Sequence, residues 1–260
     1  MKSISKKITG RCIWITGASS GLGQALALEL AEAGNFVIAS ARSQTALTEL
    51  ALRHPGKIKP FPLDVSKNLD LKKAAQQLRE ITDYVDMVIC AAGICEYEDN
   101  LDFNPNLYER TFDVNFLGVV RVLNIALPLL KKAQTRPQFI AISSLSTCVG
   151  FPRAEAYGSS KAALNYFMQS LRADLSNLAL DFSLVRPGFI ATNLVKQNDF
   201  VMPFMMTPEA ASKRIIKGIA KRKFSIDFPG RLRWPLQVWG ACFNVWYKWV
   251  APKLTRIHEW

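Results

Sequence analysis

The chain is 260 residues long, enough for one domain with a full core and short for two. Forty-nine per cent of residues are hydrophobic and 21% charged, which excludes a disordered or low-complexity protein. Lys and Arg (33) outnumber Asp and Glu (21), and the net charge of +12 invites an anionic partner: nucleic acid, an acidic membrane face or an acidic substrate carrier.

In chain order, short apolar runs predict strands at Arg11–Thr16, Asn35–Ala41, Lys57–Phe61, Met87–Cys90, Gln138–Ser143, Phe182–Arg186 and Phe224–Phe228. Between them, helical patterns occupy Leu22–Ala33, Thr45–Arg53, Leu69–Thr82, Leu107–Lys132, Ala156–Leu178 and Pro208–Lys221. This alternation predicts an α/β fold with a parallel sheet of about seven strands and helices on both faces. Such folds bind ligands at the carboxyl ends of the strands, where strand order reverses. No repeat or linker divides the chain, so the expected organisation is a domain over 1–230 and a tail over 231–260.

Five scattered cysteines (Cys12, Cys90, Cys95, Cys148, Cys242) lack CxxC spacing, which argues against a disulfide framework or a cysteine–metal site. The basic opening reaches Gly10 before any long apolar run, unlike a signal peptide. No charge-free apolar stretch reaches the roughly 18 residues of a spanning helix. The expectation is a cytoplasmic protein, with contact at the inner membrane face left open.

The first strand runs into Thr16-Gly17-Ala18-Ser19-Ser20-Gly21-Leu22-Gly23 and a helix. Glycines allow a tight turn and close approach to a diphosphate, and the helix N-terminus favours the anion. The spacing is GxxxGxG rather than GxGxxG. The second strand ends Ala39-Ser40-Ala41-Arg42-Ser43, without the acid that takes ribose hydroxyls in NAD sites. Arg42 suits a 2′-phosphate and Ser43 can add a hydroxyl, although Arg42 as a plain solvated charge also fits. The expected cofactor is NADP(H).

Tyr157 and Lys161 stand four apart, on one helix face. An ammonium beside a phenol favours the phenolate, so Lys161 is expected to lower the Tyr157 pKa toward proton transfer near neutral pH.

With these motifs in order, the chain resembles the short-chain dehydrogenase/reductase family in its single-domain branch, from about Lys7 to Phe228. TGASSGLG matches the family's TGxxxGxG loop, Asp64-Val65 resembles the pair bordering the adenine, and Tyr157-Gly158-Ser159-Ser160-Lys161 matches YxxSK. Asn115 aligns with the catalytic-helix Asn, Ser144 fits the catalytic Ser better than Ser143, and Pro187-Gly188-Phe189-Ile190-Ala191-Thr192 resembles the element that closes on the nicotinamide. The resemblance implies a Rossmann-like fold and a catalytic set of Asn115, Ser144, Tyr157 and Lys161, with no metal. Tyr157 would exchange the proton, Ser144 orient the carbonyl oxygen, Lys161 hold the ribose and tune Tyr157, and Asn115 support a water-linked relay. The implied cofactor set is Gly17, Ser19, Ser20, Gly21, Leu22, Gly23, Arg42, Ser43, Asp64, Val65, Ala91, Ala92, Gly93, Tyr157, Lys161, Pro187, Gly188, Ile190 and Thr192. One departure stands out: Cys90-Ala91-Ala92-Gly93 replaces the family's NNAG, removing side chains that tie the central sheet to the cofactor loop.

The flap segment Asn193–Met206 carries three methionines and two phenylalanines, an adaptable apolar surface suited to a lipid-like or bulky ligand, or to packing on the core. From Ala211 to Trp260, eleven basic residues face only Asp227 and Glu259, which supplies +9 of the +12. Five of the six tryptophans lie there too, and Trp234–Val250 reads as an amphipathic helix. Three roles compete for this tail: an in-plane membrane helix, a cover for the substrate cleft, or a subunit interface. Nucleic acid is not expected, because no binding motif accompanies the charge.

The leading expectation is an NADP(H)-dependent oxidoreductase acting on a hydrophobic carbonyl or secondary alcohol, a carbonyl reductase of lipid metabolism, as a homo-oligomer (dimer or tetramer). A 3-oxoacyl (carrier-protein or CoA) reductase is the alternative within enzymes. A non-catalytic nucleotide-binding sensor or scaffold is the alternative outside them.

Overall fold

The computed structural model describes residues 8–66, 71–97, 103–195 and 200–254. Seven strands form one sheet: β1 (Cys12–Thr16), β2 (Phe36–Ser40), β3 (Ile58–Pro60), β4 (Met87–Cys90), β5 (Gln138–Ile142), β6 (Asp181–Pro187) and β7 (Ser225–Phe228). The helices are α1 (Gly21–Glu32), α2 (Gln44–Leu52), α3 (Leu71–Ile81), α4 (Pro105–Phe112), α5 (Gly118–Leu130), α6 (Glu155–Asp174), α7 (Pro208–Ala220) and α8 (Gly230–Ala241). Every neighbouring strand pair is parallel, in the order β3-β2-β1-β4-β5-β6-β7. Strand order reverses between β1 and β4, whose last residues Thr16 and Cys90 are partners in register. The ligand crevice of such a sheet opens there.

The strands read as continuous apolar runs because both sheet faces are covered. Alternate residues serve opposite layers, following the two-residue period of a strand. Ile13 and Ile15 join Leu26 of α1, Leu47 of α2 and Ile215 of α7. Trp14 joins Leu78 of α3, Ile125 of α5 and Leu164 of α6. Its indole Nε1, fully buried, donates to Ser40 Oγ at 2.9 Å. At the amino end of the sheet, buried Asp86 accepts from Cys12 N at 3.0 Å and Thr135 N at 2.8 Å. The amino end is thus closed by structural bonds, and the carboxyl end is left for chemistry.

The strands and first helices fall within a residue or two of the sequence expectation. Leu69 and Asp70, at the start of the helix expected over Leu69–Thr82, lie outside the described residues. Three elements differ. The helix expected at Leu107–Lys132 runs from Pro105 to Leu130 and contains a π-helical turn at Asp113–Leu117. It is long and apolar enough to cross a membrane, but half of its apolar window is buried inside the fold, where α5 packs on α3. The helix expected to reach Leu178 stops at Asp174, because Leu175 leaves helical geometry (φ −102°, ψ 17°). The tail is not one helix over Trp234–Val250: α8 begins at Gly230 and breaks at Cys242 (ψ 55°), and a π-helical turn follows at Trp246–Val250.

Candidate active site

The Gly-rich loop leaves β1 and crosses the strand-order reversal. Gly17 has φ +71°, and a Cβ there would lie 2.5 Å from Ala92 N. A Cβ on Gly23 would lie 2.2 Å from the Gly17 carbonyl oxygen. One glycine lets the loop press on the end of β4, and the other lets α1 press on the loop. Ser20, the residue before α1, is extended and makes no side-chain cap, and no acid lies in the first turn. The N-terminus of α1 therefore keeps its dipole and leading N–H groups for an outside anion. Ser19 and Leu22 flank it, and Gly21 lies against Thr192.

The remaining sequence-predicted cofactor residues line the same edge. Ala18 N donates to the Ser40 carbonyl at 3.0 Å, which fixes the loop beside the end of β2, where Arg42 is exposed. Ser43 caps α2, its oxygen accepting from Ala46 N at 3.2 Å, so it has a structural duty that the sequence did not show. Asp64 Oδ1 accepts from Ser66 N (3.0 Å) and Ser66 Oγ (2.6 Å). The Val65 carbonyl accepts from Arg121 Nη1 at 2.9 Å, and Arg121 is also paired with Asp113 at 2.7 Å. Arg121 thus pins the Asp64-Val65 corner to the π turn, a role that nothing in the linear pattern signalled.

Ala91, Ala92 and Gly93 continue from β4. Ala91 N donates to the Thr16 carbonyl, and Ile94 N and its carbonyl both bond the Asn115 side chain at 2.9 Å. Gly188 N donates to the Phe228 carbonyl at 2.8 Å. Ile190 bridges to Met206, which closes the base of the flap. Phe200 packs edge-on against Phe189 and Tyr97. Lys196, Gln197, Asn198 and Asp199 of the flap lie outside the described residues.

The four catalytic candidates converge at this edge. Asn115 is fully buried in the π turn, and its Nδ2 also donates to Ser160 Oγ at 3.0 Å. Ser144 follows β5 and accepts from Ser146 N at 3.0 Å. Tyr157 and Lys161 share the first turns of α6, with Nζ 5.9 Å from the phenol ring centre. Lys161 Nζ donates to the Ile142 carbonyl at 3.0 Å and sits beside Gly93, where a Cβ would come within 3.4 Å of it. Burial lowers its pKa from 10.5 to about 8, with nearby Cys95 and Cys90 opposing the shift.

The phenol corrects one expectation. Burial raises the Tyr157 pKa above its ordinary value, Cys95 adds to the rise, and a hydrogen bond with Ser144 draws it partly back. Desolvation is the largest cause, and the Lys161 ammonium donates to the Ile142 carbonyl rather than to the phenol oxygen. The surroundings of Tyr157 therefore favour the neutral phenol. Cys95 is a further member of the site that sequence reasoning passed over. It is a buried thiol two residues after Gly93, and burial raises its pKa.

Gly17→Ala tests the cradle. It introduces both a strained φ and a backbone clash, and is expected to cost on the order of 3 kcal/mol in urea unfolding. Gly10→Ala has a similar φ of +66° but open space around the new Cβ, and is expected to cost only about 1 kcal/mol.

Comparison with known proteins agrees with this architecture. The sequence pattern of short chain dehydrogenases matches residues 11–200. An uncharacterized oxidoreductase of Myxococcus xanthus is 32% identical over 231 residues, covering 88% of this chain and 91% of that one. The fatty acyl-CoA reductase of Acinetobacter baylyi is 32% identical over 229 residues, covering 84% and 75%. Among solved structures, the RhlG/NADP active-site complex of Pseudomonas aeruginosa is similar, with a TM-score of 0.79 and 25% identity over 87% of this chain and 98% of that one. The seven-stranded parallel sheet, the glycine cradle and these matches place the chain in the short-chain dehydrogenase family of oxidoreductases.

Proposed function

We propose that the protein is an NADP(H)-dependent reductase of hydrophobic carbonyl compounds, with Tyr157 as the proton donor. The observation that carries this reading is the convergence of Ser144, Tyr157, Lys161 and Asn115 beside the glycine cradle at the strand-order reversal. The cradle, which a Cβ at Gly17 or Gly23 would fill, fits a dinucleotide diphosphate. Exposed Arg42 fits a 2′-phosphate. The RhlG complex with NADP agrees with that choice.

NADPH would supply the hydride, and the protein would supply position and a proton. Ser144 donates to the carbonyl oxygen and holds it beside the phenol. Tyr157 gives that oxygen its proton, and its raised pKa keeps it in the donating form. Lys161, anchored on the Ile142 carbonyl, keeps an ammonium next to the phenol and the ribose site. Asn115 holds the Ile94 backbone and Ser160, which makes it a structural support of the site as well as a candidate relay. An apolar substrate is supported by the flap, where Phe200, Val201, Phe204 and Met205 are exposed, and by the fatty acyl-CoA reductase relative. The net charge of +12 would suit an acidic carrier, which keeps a 3-oxoacyl thioester as the alternative substrate.

The test is NADPH consumption against medium- and long-chain aldehydes, 3-oxoacyl thioesters, steroids and small quinones. The expected result is turnover with long apolar members, slower with NADH, and reduced at least about 100-fold by Tyr157→Phe, in kcat at saturating NADPH. Turnover unchanged by that substitution contradicts the mechanism. Binding of NADPH with no turnover on any carbonyl favours a nucleotide-sensing role.

A peripheral membrane contact is a second part of this reading, supported by the outer face of the tail. Trp234 (64% exposed), Val238, Val245 and Trp249 (62% exposed) face outward. Residues 228–254 contain Arg231, Arg233, Lys248 and Lys253 and no acid. Basic residues around exposed tryptophans suit an anionic bilayer interface. The intact protein is expected to pellet with anionic vesicles at low salt, and Trp234→Ala with Trp249→Ala to weaken this about tenfold. Protein left wholly in the supernatant refutes the contact.

A further inference from the structure

The backbone from Ser144 to Phe151 forms a strap that leaves β5 and leads to α6. Its near end is held from α6. Ser143 Oγ donates to Asn165 Oδ1 at 2.6 Å, Asn165 Nδ2 donates to Thr147 Oγ1 at 2.8 Å, and Thr147 Oγ1 donates to the Ser144 carbonyl at 2.8 Å. Its far end is held from the tail. Gly150 N donates to Tyr247 Oη at 2.9 Å, and the Gly150 carbonyl accepts from Trp246 Nε1 at 2.9 Å. Two adjacent aromatic residues thus take both polar backbone groups of one strap residue.

Packing supports the same contact. Leu145, Val149, Leu236, Trp246 and Ala251 form a small buried core separate from the two sheet cores. Trp246 is 1% exposed and stacks edge-on against Phe151, with ring centres 5.4 Å apart. Gly240 of α8 touches the strap so closely that a Cβ would lie 2.5 Å from the Cys148 carbonyl oxygen. The base of the tail is fixed in turn: buried Asp227 of β7 takes Arg186 through two bonds (2.9 and 2.7 Å) and Arg233 of α8 at 3.3 Å. The tail is therefore a brace from the sheet edge to the strap.

Gly150 is exposed, so water could satisfy its N–H and C=O if the tail were elsewhere. The two bonds are thus worth little as rescue of buried polar groups. What they fix is location. Leu145, the residue after Ser144, lies in the same buried cluster as Trp246, so a shift of the brace reaches the Ser144 hydroxyl within one residue.

We propose that Trp246 and Tyr247 are positioning residues for the reaction: by clamping Gly150 they set the strap and thereby hold Ser144 against Tyr157. This rests on the reading of Ser144 and Tyr157 as groups that meet the carbonyl. The tail then has a duty inside its own subunit, separate from any membrane contact of its outer face.

Tyr247→Phe removes the hydroxyl that Gly150 N meets, and Trp246→Phe removes the indole N–H while keeping a ring in the core. Two readouts are needed: hydrogen exchange of the 144–151 amides, and kcat and KM for the best carbonyl found with the wild type. The expected result is exchange of the strap amides about tenfold faster, with the β1 and β4 amides unchanged. Reductase kcat/KM falls about tenfold, mostly in kcat, while the NADPH Kd stays within about twofold. A purely structural contact would lower the melting temperature and leave kcat/KM per folded molecule unchanged, and that result overturns the proposal. Unchanged strap exchange in both variants overturns it whether or not any carbonyl is reduced. A wild type that reduces none of the carbonyls refutes the functional reading and with it the role in the reaction, even where faster strap exchange in the variants shows the clamp itself.

Discussion

A lysine ammonium buried at the end of a parallel sheet needs an oxygen partner, and the groups around this one are packed to keep it in place. Lys161 meets the Ile142 carbonyl at the end of β5. Gly93 has no side chain where one would crowd both Nζ and Asn115 Oδ1. Asn115, carried on a π turn, holds the Ile94 backbone in place beside them. Burial also lowers the hold of Lys161 on its proton and keeps the neighbouring phenol neutral. A charged lysine beside a protonated tyrosine is the state that the proposed carbonyl reduction would start from.

The other elements fix distances around that centre. The glycines bring the loop against the end of β4 and α1 against the loop, which would set where a diphosphate lies relative to Lys161. Arg121 ties the Asp64-Val65 corner to the π turn that carries Asn115. Met206 closes the flap onto Ile190, and the tail braces the strap that starts at Ser144. Structural bonds such as those of Asp86 and Asn35 lie at the amino end, so the carboxyl end can hold exposed polar groups without endangering the core.

Sequence patterns showed those parts of the molecule that are local. Strands covered on both faces must be apolar throughout, so β1, β4 and β5 stood out as runs. Gly17 and Gly23 were visible because close approach leaves no alternative residue. Tyr157 and Lys161 were visible because a helix places residues four apart on one face. The π turn was not visible: one extra residue in a turn barely disturbs helical periodicity over Pro105–Leu130. Nor was the meeting of Gly150 with Trp246 and Tyr247, which are 96 and 97 residues away in the chain. The rise in the Tyr157 pKa is not legible in the sequence, because its largest cause is burial, a property of the whole fold. Cys95 was overlooked because a lone thiol carries no spacing signal.

In the proposed reaction a buried, protonated Lys161 stands beside the proton donor. Its most direct test is the pH dependence of kcat/KM for NADPH, which reports ionisations of the free enzyme. Lys161 is lowered from 10.5 to about 8, so it is charged below that pH and neutral above it. The expected profile is a plateau at lower pH and a loss of one proton's slope above about pH 8, which Lys161→Met abolishes along with most of the activity. A profile that stays flat from about pH 6 to pH 10 in the wild type would contradict it.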